Sequence, residues 1–82
     1  MDMTDQIQID LLSVARELPV PATARVVSLE IERDGSAWFL YRYDSNGQCL
    51  GDTWHPSAQE AFEQAEFEFG VVPDDWPQSE SR

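Results

Sequence analysis

The chain has 82 residues, of which 41% are apolar, and it contains three Trp, two Tyr and four Phe. This length gives room for one domain, residues 1–82, and the apolar content excludes intrinsic disorder despite a net charge of −11. Sixteen acidic residues against five basic ones, all of them arginine, argue against direct binding to nucleic acids and to anionic membranes.

Signals for secretion and membrane insertion are not found in the sequence. Residues 1–5 lack the basic and apolar regions of a signal peptide, and no apolar run approaches the ~20 residues of a membrane span. We therefore expect a cytoplasmic protein. Cys49 is the only cysteine, which excludes an intramolecular disulfide, and we expect its side chain to be a small core residue of a strand.

The first part of the chain, residues 1–23, is expected to be a helix followed by an extended connector. Apolar residues recur at three- and four-residue spacing over residues 5–18, and they are Ile7, Leu11, Val14, Ala15 and Leu18. Ile9 and Leu12 lie off this stripe, which indicates a broad buried face, a contact with a partner or an imperfect helix. Pro19 and Pro21 then end any helix.

The middle of the chain predicts a three-stranded antiparallel meander. Residues 24–32 alternate between apolar and polar side chains, which is typical of a half-buried strand. Residues 37–43 are apolar or aromatic on both sides, as in a central strand. The third strand covers residues 48–55. Turns at residues 34–35 and 44–47 connect the three strands, and in the second turn the Asp side chain is expected to accept a hydrogen bond.

An amphipathic helix over residues 58–69 is predicted to follow the meander. Ser57 and Glu60 have the spacing of a capping box, and Gly70 occupies the position of a left-handed C-terminal cap. The expected fold class is therefore α+β, with residues 24–76 as a β-β-β-α core and residues 77–82 as a disordered tail.

Two apolar surfaces of this expected fold need a cover. One helix covers one face of a sheet, so the second face of the central strand must be covered by the N-terminal helix, a second copy of the chain, or a ligand or partner. A two-residue loop at 34–35 would pair Ile31 with Trp38 and put Phe39, Tyr41 and Tyr43 on that second face; a three-residue loop would reverse the faces. Phe67 lies opposite the apolar stripe of the helix. The tail or the N-terminal helix is its expected cover, and a partner surface is the alternative.

The sequence contains few residues for catalysis or metal binding. Cys49, Asp52 and His55 do not converge on one face of a strand, and a structural zinc site normally needs four N or S ligands. The turn at 44–47 opens like a calcium loop but lacks its glycine and its glutamate at the required positions. We therefore expect no cofactor, no metal and no enzyme activity, and we expect His55 to hydrogen-bond near the start of the helix.

Several short stretches of the second half form a recognisable pattern. They are Gly51-Asp52-Thr53-Trp54-His55, then Gln64-Ala65-Glu66-Phe67-Glu68-Phe69-Gly70, and the trailing Trp76. This pattern resembles small uncharacterised bacterial proteins and covers about half of the chain. The resemblance implies the α+β fold and a bacterial cytoplasmic context, and it assigns no activity.

The excess of acidic residues suggests a protein-interaction module. Residues 44–82 carry nine acids and one arginine, whereas residues 1–43 carry seven acids and four arginines. Such charge steers a protein towards a basic partner, as for an immunity or antitoxin-like or accessory factor. The expected interaction surface consists of Glu60, Glu63, Glu66, Phe67, Glu68, Asp74, Asp75 and Trp76. The alternatives are a homodimer, a small-molecule or metal site or enzyme near Asp52, Trp54 and His55, and an inhibitor that mimics DNA.

Overall fold

The computed structural model describes residues 6–14 and 25–77, and it confirms the α+β class. These residues form one four-stranded antiparallel sheet with strand order β1-β2-β3-β4 and one α-helix. The strands are β1 Gln6–Asp10, β2 Ser28–Asp34, β3 Ala37–Tyr43 and β4 Cys49–His55, the helix is α1 Ala58–Phe69, and 3₁₀ turns form at Leu11–Ser13 and Pro73–Asp75.

The expected N-terminal helix over residues 5–18 is wrong for its described part. Residues 6–10 are strand β1, in which Ile7 lies opposite Ile31 and Ile9 lies opposite Leu29. Ile9 was off the stripe of the helical pattern, yet it is 4% exposed, because alternation with polar neighbours turns it towards the core. The three-stranded prediction is therefore one strand short.

The first hairpin is displaced by one residue from the predicted turn. Its loop is Gly35-Ser36, with Asp34 opposite Ala37, and Gly35 has a φ of 67°. Positive φ at the first loop position is typical of the type II′ turn, for which glycine is preferred. Ile31 therefore pairs with Leu40 and not with Trp38. A shift of two residues keeps each side chain on its face, so the face assignment of the two-residue alternative is confirmed.

The second turn has the predicted side-chain hydrogen bond. Asp44 Oδ1 accepts from the backbone N–H groups of Asn46, at 2.9 Å, and Gln48, at 3.0 Å. A register shift follows between Arg42 and Tyr43, where Tyr43 pairs with Cys49 and Leu50 is the extra residue of a bulge. The bulge puts Cys49 on the other face from His55 and leaves it exposed, so its expected core position is wrong.

Helix α1 has the predicted ends. Ser57 Oγ accepts from the backbone N–H of Glu60 at 3.2 Å, and Gly70 has a φ of 75°. Its two sides are less cleanly divided than an amphipathic helix implies: Ala61 and Ala65 are buried, whereas Phe67 is 85% exposed. The part of the chain that the structure describes contains no helix with the length and apolarity that a membrane crossing requires.

The core lies on one face of the sheet, between the strands and α1. Leu29, Ile31 and Leu40 are completely buried there. They pack in one cluster with Ile9, Leu11, Ala61, Ala65, Phe69, Val71 and Trp76. We call this side of the sheet the helix face.

The segment after α1 does not cover Phe67, contrary to the expectation. Trp76 turns into the core and packs edge-to-face on Phe62, with ring centroids 5.2 Å apart. Asp75 stabilises this return, because its Oδ2 accepts from the Val72 N–H at 2.9 Å. The expected disordered tail, 77–82, lies outside the described residues except for Pro77.

Candidate functional site

The candidate site is the sheet face that points away from α1, which we call the open face. Alternation along the strands, together with the bulge in β4, places twelve side chains on it in three cross-strand rows. From β1 to β4 the rows are Gln6, Glu32, Phe39 and Trp54; Gln8, Glu30, Tyr41 and Asp52; Asp10, Ser28, Tyr43 and Cys49. Within residues 6–14 and 25–77, the helix and its core contacts lie on the other side of the sheet.

An aromatic column runs along β3 through the middle of the open face. The rings of Phe39 and Tyr41 are 6.1 Å apart and those of Tyr41 and Tyr43 are 6.4 Å apart, measured between centroids. Trp54 lies opposite Phe39 on β4 and is 61% exposed. Phe39, Tyr41 and Tyr43 are partly accessible, and α1, the helix of the described residues, lies on the other face of the sheet.

Carboxylates flank the aromatic column on both sides. Glu30 and Glu32 belong to β2, and Asp52 lies opposite Tyr41 on β4. Partial burial and then the nearby carboxylates, Glu32 and Asp52 first among them, raise the pKa of the Tyr41 hydroxyl. Tyr41 is therefore a neutral hydrogen-bond donor in a negative environment, which is a suitable environment for a cation.

Glu30 is the most buried acid of the open face, at 5% exposure. Its Oε1 accepts from the Tyr43 hydroxyl at 2.7 Å, and its Oε2 accepts from the Gln6 side-chain amide. Burial, together with this bond to Glu30, raises the pKa of Tyr43, so Tyr43 remains a donor. The two neutral donors hold the carboxylate in place between β1 and β3.

The helix face contains a second polar cluster, and this one is closed. The guanidinium of Arg42 donates from Nε to Glu68 Oε1 at 2.8 Å and from Nη2 to Glu68 Oε2 at 2.5 Å. It also donates to the Leu40 carbonyl at 3.0 Å and to Thr53 Oγ1 at 3.3 Å. Arg42, with Gln64 adding a bond, lowers the pKa of Glu68 against the effect of burial. This cluster ties α1 to β3 and β4.

His55 extends the closed cluster. Its Nε2 is 2.8 Å from Thr53 Oγ1, and its ring is buried. Burial first, and then the positive charge of Arg42, lower the pKa of His55. The hydrogen-bond partner is therefore a strand neighbour and not the helix start, contrary to the expectation.

The structure disperses the residues that the sequence suggested as one small-molecule or metal site. His55 lies on the helix face, whereas Asp52 and Trp54 lie on the open face. Among the described residues, no group of three or more His, Cys, Asp and Glu side chains could hold a metal ion. The three residues near the end of β4 therefore do not form one site.

The predicted acidic surface is also divided. Glu60, Glu63, Glu66, Phe67 and Asp74 are exposed as expected. Glu68 is instead bonded to Arg42, Asp75 caps the Pro73–Asp75 turn, and Trp76 is 2% exposed. The exposed part consists of three glutamates and Phe67 on α1, and Asp74 in the turn that follows.

No protein-family model, no curated protein and no solved structure matches the chain. The resemblance to small bacterial proteins therefore stays a prediction.

The site residues that sequence reasoning missed are Glu30, Glu32 and Asp10. The signal was present, because the acids of β2 alternate with its apolar residues and the aromatics of β3 alternate with its core residues. Recognising that these two alternations meet on one face requires the hairpin register, which is the step that the sequence left open.

Proposed function

We propose that the protein is a non-enzymatic interaction module that binds a basic protein surface on its open face. The observation that carries this proposal is the aromatic column of β3 with carboxylates on both sides. Aromatic faces and carboxylates both attract ammonium and guanidinium groups, and both lie here on a surface that α1 does not cover.

The positions of the arginines agree with a negatively charged open face. Arg42 is on the helix face with Glu68, and Arg25 lies 4.0 Å from Asp44 at the second turn. Arg33 falls on the helix face by register, with its guanidinium 5.9 Å from the centre of the Trp38 ring. The three described arginines thus project elsewhere, while Asp10, Glu30, Glu32 and Asp52 project from the open face.

The open face supports this function better than it supports the two alternative functions. A site built from Asp52, Trp54 and His55 has its members on two sides of the sheet. A mimic of DNA needs rows of carboxylates, whereas aromatic rings fill the space between the carboxylates of β2 and β4 here. Rings beside acids favour protein side chains as the ligand. The cytoplasm remains the proposed compartment, and a second copy of this chain, with its own net charge of −11, is a poorer partner than a basic protein.

The test measures binding of a short peptide rich in arginine and lysine, by isothermal titration at low salt and at about 0.5 M salt, where charge is strongly screened. We expect binding that weakens at high salt. The double variant Glu32→Gln/Asp52→Asn should weaken it about tenfold at low salt, because it removes two carboxylates beside the column.

The matched control is Glu63→Gln/Glu66→Gln, which removes the same charge from the exposed side of α1 and should change affinity less than about twofold. Equal losses of affinity from both double variants would show that peptide binding depends on net charge only. A larger loss of affinity from the α1 variant would indicate that the peptide binds to the helix and not to the open face. Either result contradicts the proposal.

A further inference from the structure

A depression in the open face marks a more specific site, which we call the Ser28 pocket. Ser28 on β2 lies opposite Asp10 on β1 and opposite Tyr43 on β3. Glu30, two residues further along β2, points to the same face of the sheet. Together with Gln8 and with Gly47 of the second turn, these residues line an open depression of about 580 Å³. This volume falls within the usual range of ligand sites.

The chemistry of the pocket is that of a cation receptor. Glu30 is 5% exposed, and the Tyr43 hydroxyl and the Gln6 amide donate to it, both of them neutral. A carboxylate has about four acceptor positions, so these two bonds leave it able to accept two further N–H groups. Asp10 adds a second carboxylate to the lining, and its Oδ1 accepts from the Leu12 N–H at 2.9 Å.

Planar and rounded cations fit this arrangement differently. A guanidinium carries five N–H donors in a flat fork, binds a carboxylate through two parallel bonds and stacks on an aromatic ring. An ammonium is a compact and strongly hydrated charge that gains little from either feature. Both Glu30, a carboxylate for the two parallel bonds, and Tyr43, an aromatic residue, line the pocket.

We infer that the Ser28 pocket binds the guanidinium group of an arginine side chain that the basic partner inserts between β1 and β3. This inference rests on the proposed function, because it names the group by which the partner is anchored. It also predicts a preference that general acidity does not give, namely arginine over lysine.

The test uses N-acetyl-arginine-methylamide and its lysine counterpart, titrated into the full chain and followed by amide chemical shifts. We expect the arginine probe to shift the resonances of Ser28, Glu30 and Tyr43, and to bind about tenfold more tightly than the lysine probe, which is the ratio that one charged hydrogen bond gives.

Two variants with matched controls localise the binding. Ser28→Leu fills the pocket without changing charge and should abolish the shifts, whereas Ser36→Leu in the first turn should leave them unchanged. Glu30→Gln should weaken binding of the arginine probe about tenfold or more. Glu32→Gln removes the same charge from the same strand outside the pocket and should weaken it less than about threefold. Spectra of the free variants verify that each one is folded.

Each remaining outcome overturns one claim. Equal affinity for the two probes, no shift at the pocket, or equal losses from Glu30→Gln and Glu32→Gln would overturn the arginine pocket. If the basic peptide still bound through Glu32 and Asp52 in that case, the proposed function would stand. If the arginine probe bound the pocket while no basic peptide bound the open face, the guanidinium site would stand, and the proposed function would fail together with the claim that a basic partner supplies the arginine.

Discussion

The two faces of the sheet use the same strands for opposite purposes. On the helix face, the charge of Arg42 is bonded to Glu68 and apolar side chains such as Leu40 are completely buried. On the open face, rings remain accessible and the carboxylate of Glu30 is held by neutral donors beside a hollow. Because neighbouring residues of a strand point to opposite faces, one side carries stability and the other is available for binding.

The largest difference between the faces is expected from removing a core side chain. Leu40→Ala should lower the free energy of unfolding by about 3–5 kcal/mol, because Leu40 is fully buried opposite Ile31 and its loss leaves a cavity. The measurement is a urea titration. Leu12→Ala, the same change at a residue that is 80% exposed, should stay within about 0.5 kcal/mol. Similar losses from both variants would mean that the core is not where the structure places it.

The next largest effect on stability is expected from a variant that disrupts the closed polar cluster. Glu68→Gln leaves the guanidinium of Arg42 buried without its carboxylate, and should cost about 2 kcal/mol, below the value for a fully buried pair because the Glu68 side chain is 26% exposed. Glu66→Gln, an exposed position of the same helix, should have an effect below about 0.5 kcal/mol in the same urea titration. If Glu68→Gln left the free energy of unfolding unchanged, the helix would be held by apolar packing alone.

The sequence predicts the helix face better than the open face. The capping residues of α1 and the alternation of β2 are local signals, and the ends of the helix agree with the structure. Strand β1 was missed because Ile7 and Leu11 also fit a helical stripe that leaves Ile9 out, and only pairing with β2 decides between strand and helix. Contacts between distant residues, such as Arg42 with Glu68, have no local signal.

The same limit applies to the candidate site. The aromatics of β3 were expected on a second face, but the carboxylates beside them come from β2 and β4 through the register of two hairpins. The bulge at Leu50 changes the face of Cys49 within one strand, and one extra residue is not visible in the alternation pattern. The exposed acids of α1, which attract attention in the sequence, lie on the opposite side of the fold.

A smaller effect is expected from pH, and it belongs to the helix face. The pKa of His55 is lowered in the folded state, so the unfolded chain binds more protons between that folded value and its ordinary value of 6.5. The stability contribution is complete above pH 6.5 and is lost as pH falls through the folded pKa. One proton gives a slope of at most about 1.4 kcal/mol per pH unit. Urea titrations across this range should show the slope in the wild type.

The control for the pH effect is His55→Gln, which should remove the slope between the folded pKa of His55 and pH 6.5. The groups that act on His55 are Arg42, Glu60 and Glu68. Glu68, whose pKa is also lowered, contributes in a separate window below its ordinary value of 4.5. An unchanged slope in His55→Gln would assign the pH dependence to another group.

The smallest effect on stability is expected from the open face itself. Trp54→Ala should lower the free energy of unfolding by less than about 1 kcal/mol, because its ring is 61% exposed and lies on the open face. Trp38→Ala, the same change on the helix face of the same sheet, should cost about 2–3 kcal/mol, because that ring packs against the core. In the peptide titration the order should reverse, with Trp54→Ala the more damaging variant, since an exposed ring beside carboxylates adds to the binding of cations and a core ring does not. Equal effects of the two variants in both measurements would remove the division between a stabilising face and a binding face.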